Sequence, residues 1–291
     1  MDPVLKSASR TRLWAVDKVI LTYLAFTTAL LLGGWREIPG AATLLVIHIA
    51  AVALVLIEVK LPNPTTFLFR YWYPLPYVSA CYREMAILIP AIRRTSADMW
   101  LVSLDYRIWG VHPTVWLERI QSPGLTEFLQ TAYTLFVPAV LFVAVALWAQ
   151  RRYREFQYYA LLIALGYLVS YVGYFFVPAR GPRFVLKHLQ HIPLQGMWLF
   201  HSMQNSLDRL ESAAYDCFPS GHTELTMLAW WSSRLLGKRV FWVYFGYTLS
   251  IIFGTVYLRY HYTVDVLAGA LTAIALIVAT PYIFRKLQER A

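Results

Sequence analysis

Long uncharged apolar runs, separated by short basic or mixed segments, set the pattern of this chain. They occupy residues 19–35, 38–57, 128–150, 156–179, 240–258 and 266–284. A membrane-crossing helix needs roughly 20 apolar residues, so each run predicts one span. Residues 220–237 predict a weaker span, because Glu224 and Arg234 flank an uncharged centre. Residues 71–92 contain Pro74, Pro76, Arg83, Glu84 and Pro90, and fit either a broken crossing or a segment lying on the surface. Residues 93–122 mix Trp100, Tyr106, Trp109 and Trp116 with Asp98, Asp105, Arg107, Glu118 and Arg119. That mixture suits helix at the headgroup level.

Lysine and arginine set orientation, because they accumulate on the cytoplasmic side. Lys6, Arg10, Arg12 and Lys18 place the N-terminus inside, and Arg285, Lys286 and Arg290 the C-terminus. Arg151, Arg152 and Arg154 mark one inside loop, and Lys238 and Arg239 another. Residues 180–221 and the turn at 259–261 then lie outside, yet they carry Arg180, Arg183, Lys187, Arg209 and Arg259. Basic residues on that side suit an anionic ligand. Two inside termini require an even number of crossings, so residues 71–92 are expected to cross, giving about eight in all.

Composition narrows the class. The chain of 291 residues is 58% hydrophobic and 14% charged, against about 25% charged in a soluble domain. No polar linker divides it. The expectation is an all-α polytopic membrane protein in a single domain, 1–291, with N-terminal spans and interfacial helices over 1–124 and a catalytic core over 125–291. The net charge of +10 sits in blocks beside apolar runs, which accounts for it without nucleic acid. Cys81 and Cys217 define neither a disulfide framework nor a zinc spacing, and no Asp/Glu/His cluster has metal-ligand spacing. No metal or cofactor is expected. The first apolar run follows Lys18 and precedes further spans, so it reads as an anchor rather than a cleaved signal.

Two motifs carry chemistry. Phe218-Pro219-Ser220-Gly221-His222-Thr223 stands where an outside loop enters a helix. Serine suits the cap, and free N–H groups with the helix dipole attract anions. Gly221 lets a phosphate approach the backbone, and His222 falls in the first turn. A capped helix start with an incidental histidine fits equally. In Arg259-Tyr260-His261-Tyr262-Thr263-Val264-Asp265, His261 and Asp265 are four apart and would share one helix face. The carboxylate would fix the imidazole tautomer and leave the other nitrogen as nucleophile; a structural pair is the alternative. Arg180 and Arg183, after the preceding span, either grip a phosphate or snorkel to the interface. Together, two histidines, an aspartate and arginines on one face suit in-line phosphoryl transfer without a metal.

Pro219-Ser220-Gly221-His222 and His261-Tyr262-Thr263-Val264-Asp265-Val266-Leu267-Ala268-Gly269 resemble the second and third motifs of the type 2 phosphatidic acid phosphatase superfamily. That superfamily includes lipid phosphate phosphatases, prenyl diphosphate phosphatases, and the sphingomyelin and inositol phosphorylceramide synthases. The resemblance covers residues 178 to about 269. It implies His261 as nucleophile, Asp265 as its partner, His222 as acid, and a helical-bundle core of six spans with earlier segments added. The phosphatases' first motif sets lysine seven positions before an Arg-Pro; here Gly173 and Phe176 precede Arg180 and Arg183 at that distance. Gly254 and Thr255 replace the Ser-Arg of their third motif, and the arginine nearest the nucleophile is Arg259. The run from Tyr260 to Val266 looks closer to the sphingomyelin and inositol phosphorylceramide synthases, which pass a phosphoryl headgroup to a lipid alcohol. The expected partners are therefore a phospholipid donor and a lipid alcohol acceptor. Water as acceptor, in a phosphatase, is the alternative, and an inert lipid-binding or transport protein a third.

The phosphate is assigned to Arg180, Arg183, Ser220, Gly221 and Arg259. Glu224 is expected to point away from His222 and to pair with a polar neighbour. His188, His191 and His201 are candidates for headgroup contact, and Asp208 and Asp216 for a polyol acceptor. His48 and His112 read as structural.

Overall fold

The computed structural model describes residues 12–60, 64–210 and 215–289. The orientation residues Lys6, Arg10 and Arg290 lie outside these ranges. The described chain is helical: α1 (Ala15–Gly33), α2 (Ala41–Lys60), α3 (Pro64–Trp72), α4 (Pro74–Ile92), α5 (Asp98–Trp109), α6 (Pro123–Thr134), α7 (Phe136–Ala149), α8 (Tyr153–Phe176), α9 (Phe200–Leu210), α10 (Gly221–Ser233), α11 (Lys238–Tyr257) and α12 (Thr263–Phe284), with short helical turns between. It is an all-α polytopic membrane protein.

Its outward faces are apolar, as lipid requires. On α2, Val46, Ile47, Ile49, Leu54, Leu56 and Ile57 point outward, and on α12 Leu267, Leu271, Ile274 and Val278 do the same. Polar groups turn inward and pair, because an unpaired group in hydrocarbon costs several kcal/mol, roughly. His48 is one such group: it bridges Glu84 of α4 at 2.8 Å and Thr28 of α1 at 2.7 Å.

By length and apolarity, α1, α2, α8, α11 and α12 can each cross a membrane, and the α6–α7 pair makes up to six. That pair is one apolar run in sequence but bends by 45°. Pro138 has no N–H to give the carbonyl of Thr134, so the helix breaks there. The other two expected crossings are helical but fall short on these criteria. Helix α4 carries Arg83 and Glu84, and α10 has 13 residues, about 20 Å at 1.5 Å per residue. Helix α10 is the hub, packed against α7, α8, α11 and α12, while α4 packs on α8 and α1. A short, polar-edged helix is tolerated where its neighbours exclude lipid.

Helix α8 defines two ends. At its N-terminal end, Arg12, Arg151, Arg152 and Arg154 border one basic cavity. Beyond its C-terminus come Arg180, Arg183 and the two histidine motifs, with α5 lying across them.

Candidate active site

Both motifs are helix entries. Ser220 caps α10, its hydroxyl accepting from the N–H of Thr223 at 3.4 Å, and places His222 in the first turn. Helix α12 begins only at Thr263, so His261 stands in the turn before it rather than on a shared helix face with Asp265. The turn still sets His261 Nδ1 3.6 Å from Asp265 Oδ2. That is too long for a hydrogen bond. The ring is oriented instead by the backbone carbonyl of Cys217, which lies 2.8 Å from Nδ1. Asp265 Oδ2 accepts from the N–H of Tyr262 at 2.9 Å and from the thiol of Cys217 at 2.8 Å. The carboxylate thus caps α12 and backs the histidine, and the expected His–Asp hydrogen bond is replaced by one to Cys217.

The motifs touch through backbone. The N–H of Ser220 donates to the carbonyl of Asp265 at 3.0 Å. A side chain at Gly269 would collide with the Ser220 carbonyl, so a glycine is required where α12 passes the cap. The rings of His222 and His261 come to 5.9 Å, centroid to centroid. Tyr133 of α6 stacks on His222 at 4.2 Å and on Tyr260 at 4.3 Å, and its hydroxyl lies 3.3 Å from His222 Nδ1. Neither histidine Nε2 has a hydrogen-bond partner among the described residues. Both histidines line a cavity of about 1230 Å³ that also takes in Arg180, Arg183, Lys187, Gly221 and Arg259. It continues past Tyr167 and Tyr171 of α8 to Ser79, Tyr82 and Arg83 of α4.

The expected phosphate ligands divide. Arg180 is exposed at the cavity, with its guanidinium over Phe184. Arg183 pairs with Asp208 at 2.6 Å and lies over Tyr260. Gly221 is at the wall. Ser220 is fully buried, and its hydroxyl is spent on the cap. Arg259 is buried and committed to protein: Glu118 Oε1 at 2.9 Å, the Ile192 carbonyl at 2.6 Å and Gln190 at 3.2 Å. Its backbone takes a left-handed φ of 66°, which costs a non-glycine residue about 1–2 kcal/mol and which these contacts offset. Arg259 therefore braces the loop from the cavity wall, with its Nε left without a hydrogen-bond partner among the described residues.

Acidic residues between Asp98 and Glu127 hold what the motifs do not. Asp98 accepts from the N–H groups of Arg180 and Gly181 and from the hydroxyl of Tyr262, each at 2.9 Å. Asp105 takes the N–H groups of Thr263 and Val264 at the start of α12. Glu127 takes four consecutive N–H groups, from Met197 to Phe200, at the start of α9. Charge near aromatics indicated only an interface; the long-range partners carried no local signal. Glu224 meets its expectation, accepting from Ser170 at 2.6 Å. His191 lines the cavity, whereas His188 and His201 are exposed outside it. His112 precedes a short helix and packs against Tyr106. Asp208 is taken by Arg183. Asp216 lines the cavity and accepts from Tyr82 at 2.6 Å; burial pushes its carboxyl up, with that hydrogen bond and nearby His261 opposing.

Two facing imidazoles, each with a free nitrogen, beside unpaired helix N–H groups and arginines, suit transfer of a tetrahedral anion. Residues 99–279 match the PAP2 superfamily. The chain belongs to that superfamily. No curated protein and no solved structure matches it. PAP2 superfamily enzymes act on lipid phosphates in membranes. In this member the matched region begins within α5, so it includes Asp105, one of the two aspartates that hold the motifs. Helix α4, which supplies Tyr82 and Arg83 to the cavity, precedes it.

Proposed function

We propose that this protein is a lipid phosphotransferase that passes a phosphoryl headgroup from a phospholipid to a lipid alcohol through a phosphohistidine. The observation that carries this is the cavity: one space of about 1230 Å³ holds both histidines and runs between apolar and tyrosine walls toward α4 and α8. That is larger than most ligand pockets, which span about 300–1,000 Å³.

In the first step His261 Nε2 attacks phosphorus, the bond to the leaving oxygen breaks, and His222 protonates that oxygen. Arg180, Arg183 and the N–H groups at the start of α10 neutralise the equatorial oxygens. Bound phosphate favours the imidazolium form of His222. In the second step His222 takes the proton of the acceptor hydroxyl, the acceptor oxygen attacks phosphorus, and the P–N bond breaks. Transfer is preferred to hydrolysis because the run from Tyr260 to Val266 resembles the sphingomyelin and inositol phosphorylceramide synthases, while the phosphatases' Lys and Ser-Arg positions are occupied by other residues. Purified protein in lipid should transfer headgroup to ceramide or diacylglycerol faster than it releases it to water. Rapid hydrolysis with no transfer to any offered alcohol would make it a phosphatase; binding without either would make it inert.

The tendency of arginine to gather on the cytoplasmic side supports an extracellular or lumenal site with both termini cytoplasmic, since Arg151, Arg152 and Arg154 line a cavity at the opposite end of α8. Single cysteines at Gln195 and Gly237 should then label from opposite sides of a sealed membrane. Labelling from one side would overturn the orientation.

A further inference from the structure

The main cavity carries more positive charge than one phosphoryl group uses. Along it, Arg183 pairs with Asp208 and Arg259 with Glu118. Arg83, Arg180 and Lys187 have no ion-pair partner among the described residues. Arg180 and Lys187 follow α8, beside the histidine motifs. Arg83 comes from another wall, on α4, which precedes the region that matches the superfamily. Its neighbour in sequence does not neutralise it. Adjacent residues on a helix face apart, and Glu84 is buried against His48 at 2.8 Å. Arg83 is exposed and lines the cavity together with Ser79, one turn before it. An arginine on a helix packed among membrane spans is costly unless a cavity or an anion receives it. Tyr82 fixes this wall against the site: its hydroxyl donates to Asp216 at 2.6 Å, and the next residue, Cys217, orients His261 through its carbonyl.

We propose that Arg83 forms a second anion subsite, which takes the phosphate of an acceptor lipid whose own headgroup carries the reacting hydroxyl. The phosphoryl group in transfer occupies the start of α10 throughout, first on the donor and then on His261. An anion at Arg83 therefore belongs to a different group. A phospholipid donor leaves as an uncharged diacylglycerol, so that group arrives with the acceptor. A phosphodiester lipid with a polyol headgroup meets the requirement. Its phosphate pairs with the Arg83 guanidinium, which offers several N–H donors to phosphate oxygens. Its hydroxyl extends toward the phosphoryl group on His261. Asp216 also lines the cavity and can accept from a further hydroxyl of the polyol.

The chemistry is that of the second step. The acceptor oxygen bonds phosphorus, its proton passes to His222, and the P–N bond to His261 breaks. Arg83 makes no bond to the reacting atoms; it selects which alcohol is presented to them. The identity of the acceptor rests on the proposed transfer, whereas the anion subsite does not.

The test uses purified full-length protein in detergent, with dioleoylphosphatidylglycerol and dioleoylglycerol as probes and bound lipid counted by native mass spectrometry. Wild type should bind phosphatidylglycerol even with inorganic phosphate at saturation, because phosphate fills the start of α10 and leaves Arg83 open. Arg83→Gln should weaken that binding on the order of tenfold, the effect of losing a hydrogen bond between charged groups. Arg83→Lys should recover part of the loss, and dioleoylglycerol should bind all three proteins alike. Full displacement of phosphatidylglycerol by phosphate, no loss in Arg83→Gln, or an equal loss for both lipids would overturn the subsite. Activity then tests the acceptor. From a donor with a labelled headgroup, label should pass to phosphatidylglycerol, and Arg83→Gln should cut that transfer relative to transfer to dioleoylglycerol by a similar factor. Label passing to dioleoylglycerol but never to phosphatidylglycerol would overturn the acceptor assignment. Arg83-dependent binding on protein that passes label only to water would uphold the subsite and instead contradict the transferase reading.

Discussion

Turnover is expected to vanish when His261 is replaced by alanine, with a loss on the order of 10⁴-fold or more, as follows deletion of a covalent nucleophile. No neighbour can substitute. The nearest other imidazole, His222, has its ring centroid 5.9 Å away and is stacked against Tyr133. Asp265→Asn should be milder. An amide oxygen can still accept from Tyr262 or Cys217, and the Cys217 carbonyl still orients the ring, so what is lost is charge behind the imidazole rather than the nucleophile itself. Initial rates on one phospholipid donor, with folding checked by size-exclusion chromatography, distinguish the two variants. Equal, complete loss in both would mean that Asp265 does more than back the ring.

The second large effect belongs to His222. His222→Ala should slow the first step by about 10²–10⁴-fold with an ordinary alcohol as leaving group, the usual contribution of a positioned general acid. A donor with a phenolic leaving group of low pKa needs little protonation and should recover much of that loss in the first step. The second step keeps its full handicap, because the acceptor hydroxyl still lacks its base. With the activated donor, His222→Ala should therefore release one equivalent of phenol rapidly and then stall. A uniform loss for both donors would argue that His222 only shapes the cavity.

Local chemistry made the centre of the site legible from sequence. A serine cap, a glycine and a histidine in the first turn are written within four residues, and the structure starts α10 where they predict. The basic clusters and uncharged runs likewise foretold the apolar spans. What could not be read were contacts between distant parts of the chain. Tyr262 is held by Asp98 across 164 positions, and Arg259 by Glu118 across 141. Arg259, two residues from His261, reads as a phosphate ligand from its charge alone, because a sequence displays an arginine's charge but not the Glu118 that pairs with it. The His261–Asp265 spacing was correct about proximity and wrong about cause. The two are brought close by a cap that precedes the helix, and Cys217, from the other motif's loop, supplies the hydrogen bond assigned to the aspartate. Cysteine read as packing is, in the fold, the group on which both motifs meet.

The central claim is the covalent intermediate, and trapping it is the most direct test. Wild type and His222→Ala would be mixed with an activated donor carrying a labelled phosphoryl headgroup, quenched in alkali within the first turnover, and digested for peptide mapping. The account predicts label on His261, stable in base and lost in acid as a phosphoramidate is, with more in His222→Ala than in wild type and none in His261→Ala. Turnover by wild type with no protein-bound label in either form, or label on another residue, would contradict it.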